Sequence, residues 1–153
     1  MTSAAQVVER LRARGLTIGT AESLTGGRVV AALVDVPGAS AVVRGAVVAY
    51  ATDIKRTVLG VDAALLDGHG PVHPDVARQM AAGARRVLAV DVGVATTGIA
   101  GPTSPDGQPV GTVHIGIATA DGIRTLSLRL DGDREQIRAE CVRRALDAVA
   151  EVL

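Results

Sequence analysis

Apolar residues at positions 4, 7, 8 and 11 share one helical stripe behind Ser3-Ala4-Ala5-Gln6, which has the form of a capping box. They predict a helix ending near Gly15. Leu16–Thr20 then reads as a short strand, Ala21-Glu22-Ser23-Leu24-Thr25-Gly26-Gly27 as a polar turn, and Arg28–Val36 as an apolar helix stopped by Pro37-Gly38. The valine-rich run from Val42 to Tyr50 predicts a buried strand. Thr52 is placed to cap a short helix over Asp53–Leu59, and a second short helix over Asp62–Asp67 ends at Gly68-His69-Gly70-Pro71. His73-Pro74-Asp75 opens a longer helix with Pro in its first turn and Val76, Met80, Ala84 and Val87 on its inner face. Asp91–Thr97, Val110–Thr119 and Ile123–Leu130 read as strands, with Ala120-Asp121-Gly122 as a hairpin turn. Asp131-Gly132-Asp133 caps a final helix that points Ile137, Cys141, Ala145, Leu146, Val149 and Leu153 inward. Alternating helices and strands followed by a hairpin predict an α/β fold, a three-layer α/β/α sandwich with a mixed, mainly parallel sheet.

Composition narrows the function classes. A chain of 153 residues without repeats or linkers favours one domain, 1–153, with a real core. There is no Trp and no Phe, hence no aromatic platform for stacking bases, and the formal net charge of zero argues against a phosphate-driven nucleic-acid surface. The single cysteine, Cys141, excludes an intrachain disulfide and reads as a core residue. His69, His73 and His114 lack metal-ligand spacing, so no metal and no cofactor are expected. The charged amphipathic start is no signal peptide, and no apolar run approaches the ~20 residues that span a bilayer. The expectation is a cytoplasmic protein without a membrane partner.

Three stretches carry candidate chemistry. Gly98-Ile99-Ala100-Gly101-Pro102 leaves the end of a β-branched run, where glycines let backbone N–H groups approach a ligand. The competing reading is a tight strand connection that needs its glycines for geometry alone. Residues 21–27 form a strand–turn–helix junction whose helix start suits an anion; it is neither a Walker loop nor a dinucleotide fingerprint, and Thr25 as a simple cap is the plainer reading. Lys55 is the only lysine among 16 basic residues and follows the only tyrosine, Tyr50, by five positions. A desolvated lysine can give up its proton and serve as a base, which an arginine cannot.

Taken together, residues 21–27, Pro37-Gly38-Ala39-Ser40, Gly45–Tyr50 with Lys55, and Gly98–Pro102 with Pro109-Val110-Gly111-Thr112-Val113 resemble the CinA C-terminal domain family over essentially the whole chain. The family's larger members carry an extra N-terminal domain, so the chain looks like the stand-alone form. The resemblance implies a nicotinamide-nucleotide amidase of pyridine nucleotide salvage, converting nicotinamide mononucleotide (NMN) to nicotinic acid mononucleotide and ammonia without a metal. A homodimer is compatible with it. By motif, Ser40 is the expected nucleophile, Lys55 the base, Tyr50 a proton relay or amide-orienting donor, and Ser23 a pocket residue. Glu22, Thr25, Gly26, Gly27, Gly98, Ala100, Gly101, Pro102, Gly111 and Thr112 are the expected substrate-binding set, with backbone donors for phosphate and oxyanion. One check stands against Ser40: ten extended residues span ~33 Å, so Ser40 and Tyr50 share a site only if the chain bends or the site forms across subunits. Ser23, just past the carboxyl end of a strand, is the rival nucleophile. The chain also departs from the family pattern. Thr103-Ser104-Pro105-Asp106-Gly107-Gln108 stands where the family loop is often glycine-rich with a lysine before Pro-Val-Gly-Thr, Leu24 replaces a common cysteine, and His73 replaces a small polar residue. The altered loop keeps open a second reading, a catalytically silent nucleotide-binding regulatory module.

Overall fold

The computed structural model describes residues 1–153. Its strands are β1 (Ile18–Glu22), β2 (Val43–Val48), β3 (Val92–Gly98), β4 (Thr112–Thr119) and β5 (Gly122–Arg129). Its helices are α1 (Ala4–Arg14), α2 (Arg28–Val34), α3 (Thr52–Thr57), α4 (Ala63–His69), α5 (Pro74–Leu88) and α6 (Arg134–Val152), with a 3-10 turn over Ala39–Ala41. The strands form one sheet in the order β2-β1-β3-β4-β5. β1 pairs in parallel with β2 and β3, β3 with β4 and β4 with β5 antiparallel, so four of the five strands run the same way. The expected α/β/α sandwich with a mixed sheet is thus the observed fold.

Local chemistry explains the element ends. Ser3 and Gln6 close the capping box of α1, and Gly15 ends that helix in the left-handed region at φ 64°. Asp133 and Gln136 close a second capping box on α6. α5 begins at Pro74, and His73 caps it by accepting a hydrogen bond at Nδ1 from the Asp75 N–H. Thr52 is the first residue of α3 rather than its cap.

Side-chain alternation along the strands makes two cores. On one face, Val92 and Val94 of β3 and Val113, Ile115 and Ile117 of β4 meet α1, α2 and α6. The other face is lined by small residues, including Ala21, Ala95 and Ala118, and packs against α5 through Val76, Met80, Ala81 and Ala84. Glycines let that helix lie directly on the sheet: a Cβ at Gly93 would overlap the Ala81 carbonyl oxygen, and one at Gly116 the Ala77 carbonyl oxygen.

Three further sequence expectations need correction. Val42–Tyr50 is not a buried strand, because β2 is an edge of the sheet, with Val48 49% and Tyr50 61% exposed. Val87 lies outside the α5 stripe and is exposed. Leu153 follows α6 and is only half-buried. No helix is long and apolar enough to cross a membrane. The α5 contact yields a test of packing: Gly93→Ala pushes α5 off the sheet and is expected to lower stability by about 1–3 kcal/mol in urea unfolding. An unchanged midpoint would show that the close approach carries no constraint.

Candidate active site

The register brings three strand ends together. Glu22, the last residue of β1, pairs with Val48 on one side and Thr96 on the other. Ser23, Ala49-Tyr50 and Thr97-Gly98 therefore leave the sheet side by side. Because β1 starts one crossover toward β2 and the chain then returns to β3 on its other side, this is the switch point of the parallel strands, where open α/β sheets bind ligands.

Glu22 and Ser23 point to opposite sides of the sheet. The fully buried Glu22 carboxylate accepts hydrogen bonds from Thr20 Oγ1 (2.9 Å), Thr25 Oγ1 (2.7 Å), Val29 N (2.8 Å) and Val30 N (3.0 Å). It thereby occupies the N-terminus of α2 that the sequence offered as an anion cradle. Gly26 and Gly27, at φ 59° and 98°, make the left-handed turn this requires. Arg138 of α6 clamps the turn from outside by donating to the Leu24 carbonyl at 2.8 Å. Glu22, Thr25, Gly26 and Gly27 are thus not pocket residues, contrary to expectation; they fix the backbone that presents Ser23.

On the other side, Lys55 projects from α3. It is the largest fully buried side chain of the protein, 1% exposed. Its Nζ donates to Ser23 Oγ at 2.9 Å and to the carbonyls of Ala49 and Tyr50 at 2.7 and 3.2 Å. No carboxylate offsets its charge, and burial lowers its pKa from 10.5 to about 8. In the neutral amine the two carbonyls hold both N–H bonds, which directs the lone pair at the Ser23 hydroxyl.

Ser23 and Lys55 floor a pocket of about 530 Å³, whose walls include Tyr50, Pro71, Val72, Thr97, Gly98, Ala100 and Gly101. The N–H groups of Leu24, Ala100 and Gly101, all pocket residues, have no internal acceptor. Pro102 does not line the pocket. Nor do Gly111 and Thr112: the Gly111 N–H binds the Ile99 carbonyl, Thr112 accepts from the Ile99 N–H, and both hold the base of the loop. Tyr50 lines the pocket, but its hydroxyl accepts from Arg134 Nη2 (3.3 Å) and touches neither Ser23 nor Lys55. Its link to Lys55 is its backbone carbonyl.

Ser40 is not brought to this site. It is exposed in the 3-10 turn before β2 and lines a separate depression with Val34–Ala39 and Val43. The six residues of β2 put about 20 Å between that turn and Tyr50. Sequence reasoning missed Arg134, which reaches the pocket from the start of α6 and donates to the Gly101 carbonyl at 2.8 Å. It also missed Thr97, Asp106 and the Pro71-Val72 wall. Arg134 directly follows the Asp133 cap, the one sequence signal that a helix start, and so a side chain aimed outward from it, lay there.

Fold and pocket define an α/β protein with a ligand-sized crevice at the switch point of its sheet, floored by a serine–lysine pair. The family model of the CinA C-terminal domain matches residues 1–153, and the chain belongs to that family. It is 51% identical over 140 residues to a CinA-like protein of Frankia casuarinae, covering 92% of this chain and 32% of that protein. A CinA-like protein of Anaeromyxobacter dehalogenans is 48% identical over 143 residues, covering 92% and 35%. The chain thus spans about a third of the length of the curated relatives it matches. Among solved structures, a CinA superfamily protein from Klebsiella pneumoniae superposes with a TM-score of 0.93 at 36% identity, covering 97% of this chain and 93% of that one. The competence/damage inducible protein CihA from Agrobacterium tumefaciens gives 0.93 at 38%, covering 97% and 92%.

The depressed lysine pKa has a consequence for stability. Between pH 8 and 10.5 the unfolded chain holds a proton at Lys55 that the native state does not, so native stability rises with pH across that window. Relative to Lys55→Met, the wild-type protein is expected to gain about 2 kcal/mol between pH 7.5 and 9.5 in urea unfolding. Parallel pH curves for the two proteins would mean that Lys55 titrates normally.

Proposed function

We propose that this domain is a nicotinamide-nucleotide amidohydrolase in which Ser23, not Ser40, is the nucleophile and Lys55 its base. The observation that carries the reading is the 2.9 Å hydrogen bond between Ser23 Oγ and a buried lysine without a counter-ion. A serine hydroxyl is a weak nucleophile until a neighbouring base takes its proton, and neutral Lys55 is positioned to do so. Ser23 Oγ attacks the carboxamide carbon of NMN as its proton passes to Nζ. The oxyanion forms beside the free N–H groups of Leu24, Ala100 and Gly101. Collapse of the tetrahedral species breaks the C–N bond, and Lys55 returns the proton to the departing ammonia. Water, deprotonated by the same amine, then hydrolyses the acyl-serine to nicotinic acid mononucleotide. The pocket volume lies in the range of small-molecule sites, and Arg134 offers a charge for the substrate phosphate.

The test is ammonia release from NMN by wild-type, Ser23→Ala, Ser40→Ala and Lys55→Met proteins. Ser23→Ala and Lys55→Met are expected to lose at least about a thousandfold in kcat, with Ser40→Ala within about twofold of wild type. Since only neutral Lys55 acts as base, kcat/KM should rise with pH through about 8 and level off above it. Loss confined to Ser40→Ala would overturn the assignment. NMN binding without ammonia from the wild-type protein would instead favour a nucleotide-binding regulatory module.

A further inference from the structure

Two charged side chains enter the pocket rim from opposite faces of the sheet. Arg134 comes from α6 and is anchored to Gly101 and Tyr50. Asp106 comes from the loop between β3 and β4 and lies by the connection from α4 to α5, near Gly70. Its carboxylate is held in place by its own loop. Oδ1 accepts from Ser104 Oγ and Gln108 N, each at 3.2 Å, and Oδ2 from Gln108 Nε2 at 2.9 Å. Gln108 Nε2 also donates to the Val72 carbonyl at 2.9 Å, which straps the loop to the far wall. No cation of the protein forms an ion pair with Asp106.

Resting on the amidase reading, we infer that Asp106 is a specificity-determining residue, selecting substrates with a cationic ring beside the scissile amide over those with a neutral ring. The walls supply one aromatic side chain, Tyr50, already engaged by Arg134, so little π surface is left to hold a cation. The carboxylate supplies the missing attraction. A ligand with an anion toward Arg134 and a cation toward Asp106 matches the rim, and N-ribosylated nicotinamide 5′-phosphate is such a zwitterion. A neutral dihydropyridine keeps the anion but offers the Asp106 charge no cation, leaving it only the hydrogen bonds of its own loop. A further phosphate near the ring is disfavoured by the same charge.

The experiment is calorimetric titration of Ser23→Ala protein, which binds without turnover, with NMN and with its 1,4-dihydro form. Adding Asp106→Asn, which keeps the shape and the acceptor for the Gln108 backbone N–H while removing the charge and the acceptor for Gln108 Nε2, is expected to weaken NMN about fivefold and the dihydro form less than about 1.5-fold. The NMN effect should shrink in high salt. Gln108→Ala, which loosens the strap but keeps the charge, should weaken both forms alike. Equal losses in Asp106→Asn, a selective loss in Gln108→Ala, or binding of neither form would each overturn the inference. Ammonia release by the wild-type protein is assayed separately: its absence alongside selective binding removes the amidase reading and leaves the role of Asp106 intact.

Discussion

The site depends on a buried carboxylate that takes no part in the pocket. Glu22 sits at the end of β1, wholly out of water, and a lone charge there would cost several kcal/mol. Two threonine hydroxyls and the first free N–H groups of α2 replace its hydration. Those bonds leave the 23–27 turn little freedom. Since successive residues of an extended chain face opposite ways, tying Glu22 into one layer commits Ser23 to the other. The same alternation keeps the two charges apart. Glu22 belongs to the α1–α2–α6 side and Lys55 to the α3–α5 side, with β1 between them. A carboxylate in contact with Lys55 would hold its proton on; separation lets burial act alone, and the amine moves toward neutrality.

The second layer is arranged to bring the pocket wall to that serine. Glycine and alanine on the sheet face let α5 approach until its backbone nearly meets the strands. The connection entering α5 then reaches the end of β3, where Thr97 Oγ1 donates to the Pro71 carbonyl at 2.7 Å. Larger residues on that face would lift the helix and with it Pro71 and Val72. The small-residue face is therefore a requirement of the site as well as of the core.

These facts explain what could be read from the sequence and what could not. Capping boxes, glycine stops and apolar periods are local, and they placed nearly every helix and strand. Lys55 stood out because it was alone among arginines, a signal that needs no geometry. Ser23 was within reach because a residue just past a strand end has a defined place in an open sheet. Ser40 lies apart from Ser23 and Lys55, which motif likeness could not show because it carries no distance; the length of β2 was itself the warning. Glu22 and Thr25 looked like binding residues because a polar turn before a helix reads the same whether its acceptor is a ligand or the chain's own carboxylate. The exposure of β2 depends on strand order, to which a valine-rich run gives no clue. Arg134 and Asp106 meet the pocket only through folding of segments distant from Ser23 in sequence.

The orienting groups around Lys55 decide what kind of base it would be in the proposed role. In serine sites built on histidine, a carboxylate orients the base and also stabilises its cation. Here the corresponding positions are taken by two backbone carbonyls. Dipoles of this kind fix the direction of the amine and satisfy its N–H bonds, yet they stabilise the ammonium far less than a full negative charge would. A lysine held this way remains buried and ordered while a useful fraction of it is neutral near physiological pH. The fold accepts a loss of stability at that position, because the native state suppresses a proton that the unfolded chain keeps. A structural lysine with the same burial would gain from an acidic neighbour, and the buried carboxylate that adjoins Ser23 in sequence, Glu22, is turned to the opposite face. That arrangement is hard to reconcile with packing alone and is what a proton acceptor for Ser23 requires.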